Sequence, residues 1–360
     1  MTSGEPVSPQ EAVEMFSEKI WNDIEGAMAM ALCFLGEQLG LYRALVKTGP
    51  ATSTDLAAHT GLHERWLREW LQQQACAGFI AYEGNGRFYL KPEAIEVLAN
   101  EESLFFAGGG FTLAMALILN TPNLKSCFQT GLGLPYDALG VDCAVGLERL
   151  GGSWKRQKFV PEVLPLMDGV VEKLEQGALV ADIGCGGGTA TVAMAKAFPQ
   201  SEFHGYDTSE HALTHARQQA NSEGLTNLFW HNPEEEPLPD DGRFDFITAI
   251  DVVHDTTDPA GLIAAVYKAI KPDGTWFLTD IAGKSSFEEN LNDHPFAGLI
   301  YAFSVLVCMS SGLSKPGGAG LGTAGFHEDL ARQMTREAGF TRFRRLEVED
   351  VLNNRYEVRP

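Results

Sequence analysis

The sequence predicts an α/β fold: a mostly parallel sheet, closed by an antiparallel hairpin, behind a mainly helical N-terminal domain. Three observations carry this. An apolar run, residues 178–183, leads into Gly184, Gly186, Gly187 and Gly188, then into residues 191–198 with apolar positions at helical spacing and Pro199 beyond. Four further strand-like runs, at 202–206, 228–230, 243–251 and 275–281, alternate with helical stretches. Two last runs, 340–348 and 355–359, stand close enough together to form the hairpin.

Composition narrows the function classes. A chain of 360 residues has room for two cores. With 44% hydrophobic and 21% charged residues it reads as an ordinary globular protein. No apolar run reaches the roughly 18 residues of a membrane span; residues 111–119 are too few. The start lacks the basic and apolar regions of a secretory leader, so the cytoplasm is the expected compartment. Six cysteines without paired spacing predict neither a disulfide framework nor a metal site. A formal charge of −21 argues against nucleic acid and anionic membranes as partners.

Residues 10–47 read as helices with an apolar face through Ile20, Ile24, Met28, Leu32, Leu35, Leu39 and Leu45. A short helix at 54–58, a turn at Thr60-Gly61 and a second helix at 63–77 follow. Two strands, 79–82 and 87–90, then flank Glu83-Gly84-Asn85-Gly86. Helix, turn, helix and hairpin make a winged helix over residues 1–100. Such modules bind DNA, but here Arg65 and Arg68 stand beside Glu64 and Glu69, and the domain holds more acids than bases. Residues 101–160 show no strand signal. They offer a helix at 105–119, after a break at Gly108-Gly109-Gly110, and a loop at 131–140; another helix, 163–174, leads into the sheet.

The order Asp182-x-Gly184-x-Gly186-x-Gly188 is not G-x-G-x-x-G, because Thr189 takes the third glycine's place. A carboxylate ahead of the first glycine repels a pyrophosphate and suits a cationic, phosphate-free nucleoside. Asp207, ending the second strand, can accept both ribose hydroxyls, which holds for NAD-binding folds as well. The fourth strand runs through Asp251 toward His254 and Asp255. Residues 283–325 are too many for an ordinary connection. They hold an apolar helix, 296–309, with Tyr301 and Cys308, and Gly320-x-Gly322-x-x-Gly325, which no strand precedes and which reads as a lid.

The Asp182–Gly188 turn resembles motif I of the class I S-adenosylmethionine-dependent methyltransferases. The series FDFITAIDVVHD, DP and KPDG resembles their later motifs, and the N-terminal arrangement resembles small-molecule O-methyltransferases of plants and bacteria. The resemblance implies a Rossmann-like, seven-stranded sheet over residues 161–360 with a lid at 283–325. It implies S-adenosylmethionine as cofactor, a small-molecule methyl acceptor, and a homodimer formed through the winged-helix domain. Asp182 and the glycines Gly184, Gly186 and Gly188 would then meet the methionine moiety and Asp207 the ribose. Thr208, Asn232 and Asp251 complete the cofactor contacts, Asn232 standing where the family has an acid near the adenine. His254 matches the family's general base; imidazole suits removal of a proton from an acceptor hydroxyl. The bland reading of His254 is a packed strand-end histidine, with Asp255 capping the next helix or orienting the ring. Tyr136, Trp154, Phe159, Tyr301 and Cys308 are the candidates for the substrate pocket, each with an equal claim to be packing. Two other readings stay open: a NAD-dependent oxidoreductase, and a ligand-sensing transcription regulator.

Overall fold

The computed structural model describes residues 7–360; residues 1–6, with which the predicted N-terminal domain opens, lie outside the described residues. Contacts group the chain into two units, 1–115 and 116–360.

In the first unit, Ser8 and Glu11 form a capping box that starts the helix Pro9–Gln38. Thirty residues give a rod of roughly 45 Å, and only its far end packs: Ala29, Cys33 and Gly36 are buried. Gly36 lies under Trp70, where a Cβ would come within 2.4 Å of the indole. The rest of the predicted apolar face, Ile20, Ile24, Met28, Leu35 and Leu39, is exposed in the single chain. After Gly40 the helix Leu41–Thr48 buries Leu41, Tyr42 and Leu45. Ser53–Thr60 and Glu64–Cys76 are the next two helices. Strands β1 (Ala81–Gly84) and β2 (Arg87–Tyr89) make the hairpin. Its turn residues Asn85 and Gly86 both take positive φ, 53° and 73°, as a two-residue turn matched to strand twist requires. Leu56, Leu67, Trp70, Leu71 and Phe88 fill the core beneath. The three glycines at 108–110 do not break a helix; they form the first turn of Gly108–Asn120.

The second unit is built on one seven-stranded sheet of order β5-β4-β3-β6-β7-β9-β8. Its strands are β3 (Leu179–Ile183), β4 (Glu202–Tyr206), β5 (Leu228–His231), β6 (Phe244–Ile250), β7 (Ile270–Ile281), β8 (Arg342–Arg345) and β9 (Asn353–Arg359). The first five run parallel, and β9 enters antiparallel between β7 and β8. Alternate residues feed two cores: Ala181, Ile247, Trp276 and Leu278 go to one face, Val180, Phe246 and Phe277 to the other. Strand β3 pairs with β4 on one side and β6 on the other, so the strand order reverses there and a crevice opens at the carboxyl ends.

Several boundaries differ from expectation. β7 begins at Ile270, and Lys271–Gly274 is an irregularity in its pairing with β6 instead of a turn outside the strand. The first hairpin strand is shorter than expected and the second starts earlier, at Asn353, with 346–352 irregular between them. Where one helix is expected at 163–174, the chain makes a π-helix Lys155–Val163, a 3₁₀ turn Leu164–Leu166 and a helix Val170–Gln176. Pro161 and Pro165 remove the amide donors that a continuous α-helix would need.

Candidate active site

At the carboxyl end of β3 the chain turns through Gly184, Gly186 and Gly188, with φ of 62°, 56° and 83°. Glycine is required here twice over, by the left-handed backbone and by contact. A Cβ at Gly184 would lie 2.3 Å from Val252 Cγ2, and one at Gly188 2.6 Å from Trp230 Cη2. The Gly186 N–H donates to Asp207 Oδ2 and the Ser209 N–H to Oδ1, each at 2.8 Å. Two backbone amides thus clamp Asp207 to the turn and leave its remaining lone pairs for other donors. Burial raises the pKa of Asp207 above the usual carboxylate range.

Asp182 is buried, and each oxygen already accepts a threonine hydroxyl: Thr191 at 2.5 Å and Thr248 at 2.6 Å. It pins β3 to β6 and to the following helix, Thr189–Ala197, so its charge acts beneath the turn. Thr208 is exposed. Asn232 donates to Glu210 Oε1 (3.0 Å) and accepts from the Glu234 N–H (3.0 Å). Asp251 holds φ of 57°, a strained backbone for a non-glycine residue, and its carboxylate accepts from Asn353 Nδ2. Its residue is exposed to solvent, yet desolvation by the surrounding protein, then Asp280, push its pKa up to about 6.

Two residues that sequence reasoning missed sit at the turn. Glu148, buried on the helix Val141–Trp154, accepts the Thr189 N–H at 3.1 Å, capping the helix that the glycines open. Lys155 Nζ lies 3.4 Å from Glu148 Oε2. Burial opposes charge on both. Lys155 nonetheless holds Glu148 below the usual range, and Glu148, with Asp182 and Asp251, holds Lys155 above its own. Lys155 opens the π-helical segment, a feature frequent at functional sites.

His254 lies just past β6 and is 3% exposed. Its partner is not the adjacent Asp255. Asp280, in the neighbouring strand β7, accepts from His254 Nδ1 at 2.7 Å, and its second oxygen has no partner. That bond fixes the tautomer and turns Nε2 toward Cys308 Sγ, 3.3 Å away. Burial disfavours the imidazolium, but Asp280 and Cys308 outweigh it and hold the pKa of His254 well above 6.5. Asp255 does not cap the next helix either; Asp258 does, accepting the Gly261 N–H. Burial pushes the pKa of Asp255 up to about 7.

The structure therefore brings Cys308 to His254, from a second π-helical turn, Ser304–Cys308. It also brings Tyr136, whose hydroxyl feels Cys143, Asp255, Asp207 and Cys308 and is driven well above its usual pKa, chiefly by burial. Other pocket candidates fall elsewhere. Phe159 is fully buried in the sheet core against Phe277, ring centroids 5.1 Å apart. Trp154 stacks under the Arg355 guanidinium at 4.5 Å. Tyr301 accepts from Asn290 and packs edge-on to Phe287, within the insertion. Residues 313–325 are tied back, Ala319 N–H to Thr257 and Gly320 N–H to Gly312.

Sheet order, glycine turn and clamped acid define a class. The second unit has the fold of the S-adenosylmethionine-dependent methyltransferases, and the first is a winged helix. Comparison with known proteins agrees: residues 181–276 match the family model described as a methyltransferase domain, and residues 26–99 that of an Rv2258c-like winged HTH domain. Over 107 residues the chain is 36% identical to the ubiquinone biosynthesis O-methyltransferase of Methylococcus capsulatus, a match covering 29% of this chain and 44% of that protein. The chain spans about half the length of the curated relatives it matches. The mitomycin 7-O-methyltransferase MmcR superposes with a TM-score of 0.70 at 20% identity, over 97% of this chain and 99% of that one. Human N-acetylserotonin methyltransferase, solved with S-adenosylmethionine, gives 0.62 at 15%, over 100% and 99%. At those identities the likeness is one of fold.

Proposed function

We propose that this protein transfers a methyl group from S-adenosylmethionine to an oxygen of a small molecule, with His254 as general base. The observation that supports it most is the charge around the glycine turn. Glu148, Asp182 and Asp251 act on the Lys155 ammonium, and Asp207 is clamped to the same turn. Such a balance favours a cationic ligand and repels a pyrophosphate, which speaks against the oxidoreductase reading. At Gly184 and Gly188 a side chain would strike Val252 and Trp230, so the turn keeps its shape only with glycine.

Bound there, S-adenosylmethionine supplies an electrophilic methyl group. The residues of the chain do the rest. Asp207 holds the ribose hydroxyls, with Thr208 and Asn232 flanking the nucleoside. Lys155 meets the methionine carboxylate, while the field of Asp182, with Asp251, favours the ammonium and sulfonium. Asp280 keeps the proton on Nδ1 of His254, so Nε2 is the atom that accepts the hydroxyl proton of the acceptor. Tyr136 and Cys308 border that position, and their neighbourhood excludes water.

The acceptor is a small molecule, and the partner is a second copy of the chain. Support for the dimer is the exposed row Phe16, Ile20, Trp21, Ile24 and Met28 on the first helix, more apolar surface than a solitary helix leaves in water. Nucleic acid is disfavoured because Arg65 and Arg68 each pair on their own helix, with Glu69 at 2.9 Å and Glu64 at 2.7 Å. Among the described residues no single helix is long and apolar enough to cross a membrane. Calorimetry tests the ligand: S-adenosylhomocysteine is expected to bind and NADH to give no heat, and the reverse result would overturn the proposal.

A further inference from the structure

Three side chains from two distant parts of the chain converge beside the turn after β6. His254, Asp255 and Cys308 each offer a donor atom, and the three atoms lie within 4.8 Å of one another. Nitrogen, oxygen and sulfur together form a donor set for a borderline-soft divalent cation, unlike the oxygen-only sets of calcium or magnesium. His254 is already oriented as a ligand would be. Its Nδ1 is engaged by the Asp280 carboxylate at 2.7 Å, the carboxylate–histidine arrangement that supports metal-bound imidazoles. Its Nε2 stands 3.3 Å from Cys308 Sγ. A tetrahedral zinc site separates N and S donors by about 3.5 Å, so these two atoms are nearly in place and the Asp255 carboxylate has to swing by roughly 1 Å. Both His254 and Cys308 are buried, which shields the pair from competing water.

We propose that His254 Nε2, Asp255 and Cys308 form a binding site for a thiophilic divalent cation, zinc above all, and that its occupancy switches the active site off. Coordination takes the Nε2 lone pair that would otherwise accept the acceptor's proton; any proton on Nε2 and the Cys308 thiol proton leave to solvent as the bonds to the metal form. The fourth position is left to water or to an oxygen of the acceptor. The π-helical turn Ser304–Cys308 is what aims the sulfur at the imidazole, so the insertion supplies the ligand that the sheet lacks.

The test uses the whole reduced protein titrated with Co²⁺, whose bond to thiolate gives a near-ultraviolet charge-transfer band. One equivalent is expected to saturate the band, and Zn²⁺ to bleach it. Cys308→Ser should abolish the band and weaken Zn²⁺ binding by roughly 100-fold or more, while Cys76→Ser, at an exposed thiol outside the cluster, should leave both unchanged. If Cys308→Ser folds poorly by circular dichroism, Asp255→Asn serves, with weaker Zn²⁺ binding expected. Absence of the band, or a band that survives both variants, overturns the proposal. In the wild type Zn²⁺ should inhibit methyl transfer and a chelator restore it. The spectroscopic readout does not depend on methyl transfer, so failure of the metal site and failure of the base assignment are told apart.

Discussion

At the scale of single residues the chemistry turns on which carboxylate reaches His254. Asp255 is its neighbour in sequence, yet Asp280 is the one bonded, because parallel strands β6 and β7 end side by side, while the Asp255 carboxylate lies nearby without a hydrogen bond to the ring. Asp280 also raises the pKa of His254, so the imidazole holds a proton more tightly than a free one and must give it up to act as the proposed base. Methyl transfer should therefore rise with pH along a limb lying above the usual imidazole value of about 6.5. Asp280→Asn removes the raising charge while burial still opposes the imidazolium; the limb should move to lower pH and the plateau should fall, since the tautomer is no longer held. His254→Ala should cost roughly 10² to 10⁴ in turnover. A pH–rate profile on both variants checks this; an unmoved limb in Asp280→Asn would remove the dyad from the mechanism.

At the scale of elements, the glycine turn is a junction and not merely a flexible loop. Its amide at Gly186 clamps Asp207, its helix start at Thr189 is capped by Glu148, and Trp230 of β5 closes on Gly188. Gly188→Ala places a Cβ 2.6 Å from the Trp230 ring at a φ of 83°. It should both destabilise the fold, by roughly 1–3 kcal/mol of backbone strain, and weaken S-adenosylhomocysteine binding. Thermal melting with and without that ligand measures the two effects separately. The existence and position of this turn were legible in the sequence, because a strand, four glycines and a helix are adjacent in the chain. Glu148 and Lys155 were not, since nothing in the spacing of a helix 30 to 40 residues upstream says that it folds back over the glycines.

At the scale of the molecule two consequences follow from charge and from surface. Asp255 is raised to about 7 by burial, so the folded state binds its proton more tightly than the unfolded chain does. Stability from this group is therefore greatest in acid and declines as pH rises from about 4 toward 7. Asp255→Asn should raise the melting temperature at pH 8 and change it less at pH 5; an equal change at both would show the carboxyl to be unperturbed. The exposed face of the first helix carries the second prediction. Trp21→Glu, at a residue 67% exposed in the single chain, should shift the mass seen by light scattering from dimer to monomer. An unchanged mass would place the contact elsewhere.

By itself the sequence determined the fold class, the winged helix, the order of the βα units, the glycine turn and the acids Asp182 and Asp207. Each of these is written in local periodicity, in turn chemistry, or in residues a few positions apart. Only the tertiary structure decided the use of individual side chains: Asp182 spent on two threonines, Phe159 in the core, Asp280 on His254, and Cys308 carried 54 positions along the chain to the same imidazole. The reason is physical. Hydrogen bonds and buried charges are satisfied by whichever group is near in space, and nearness between strands and insertions is a property of the packed sheet.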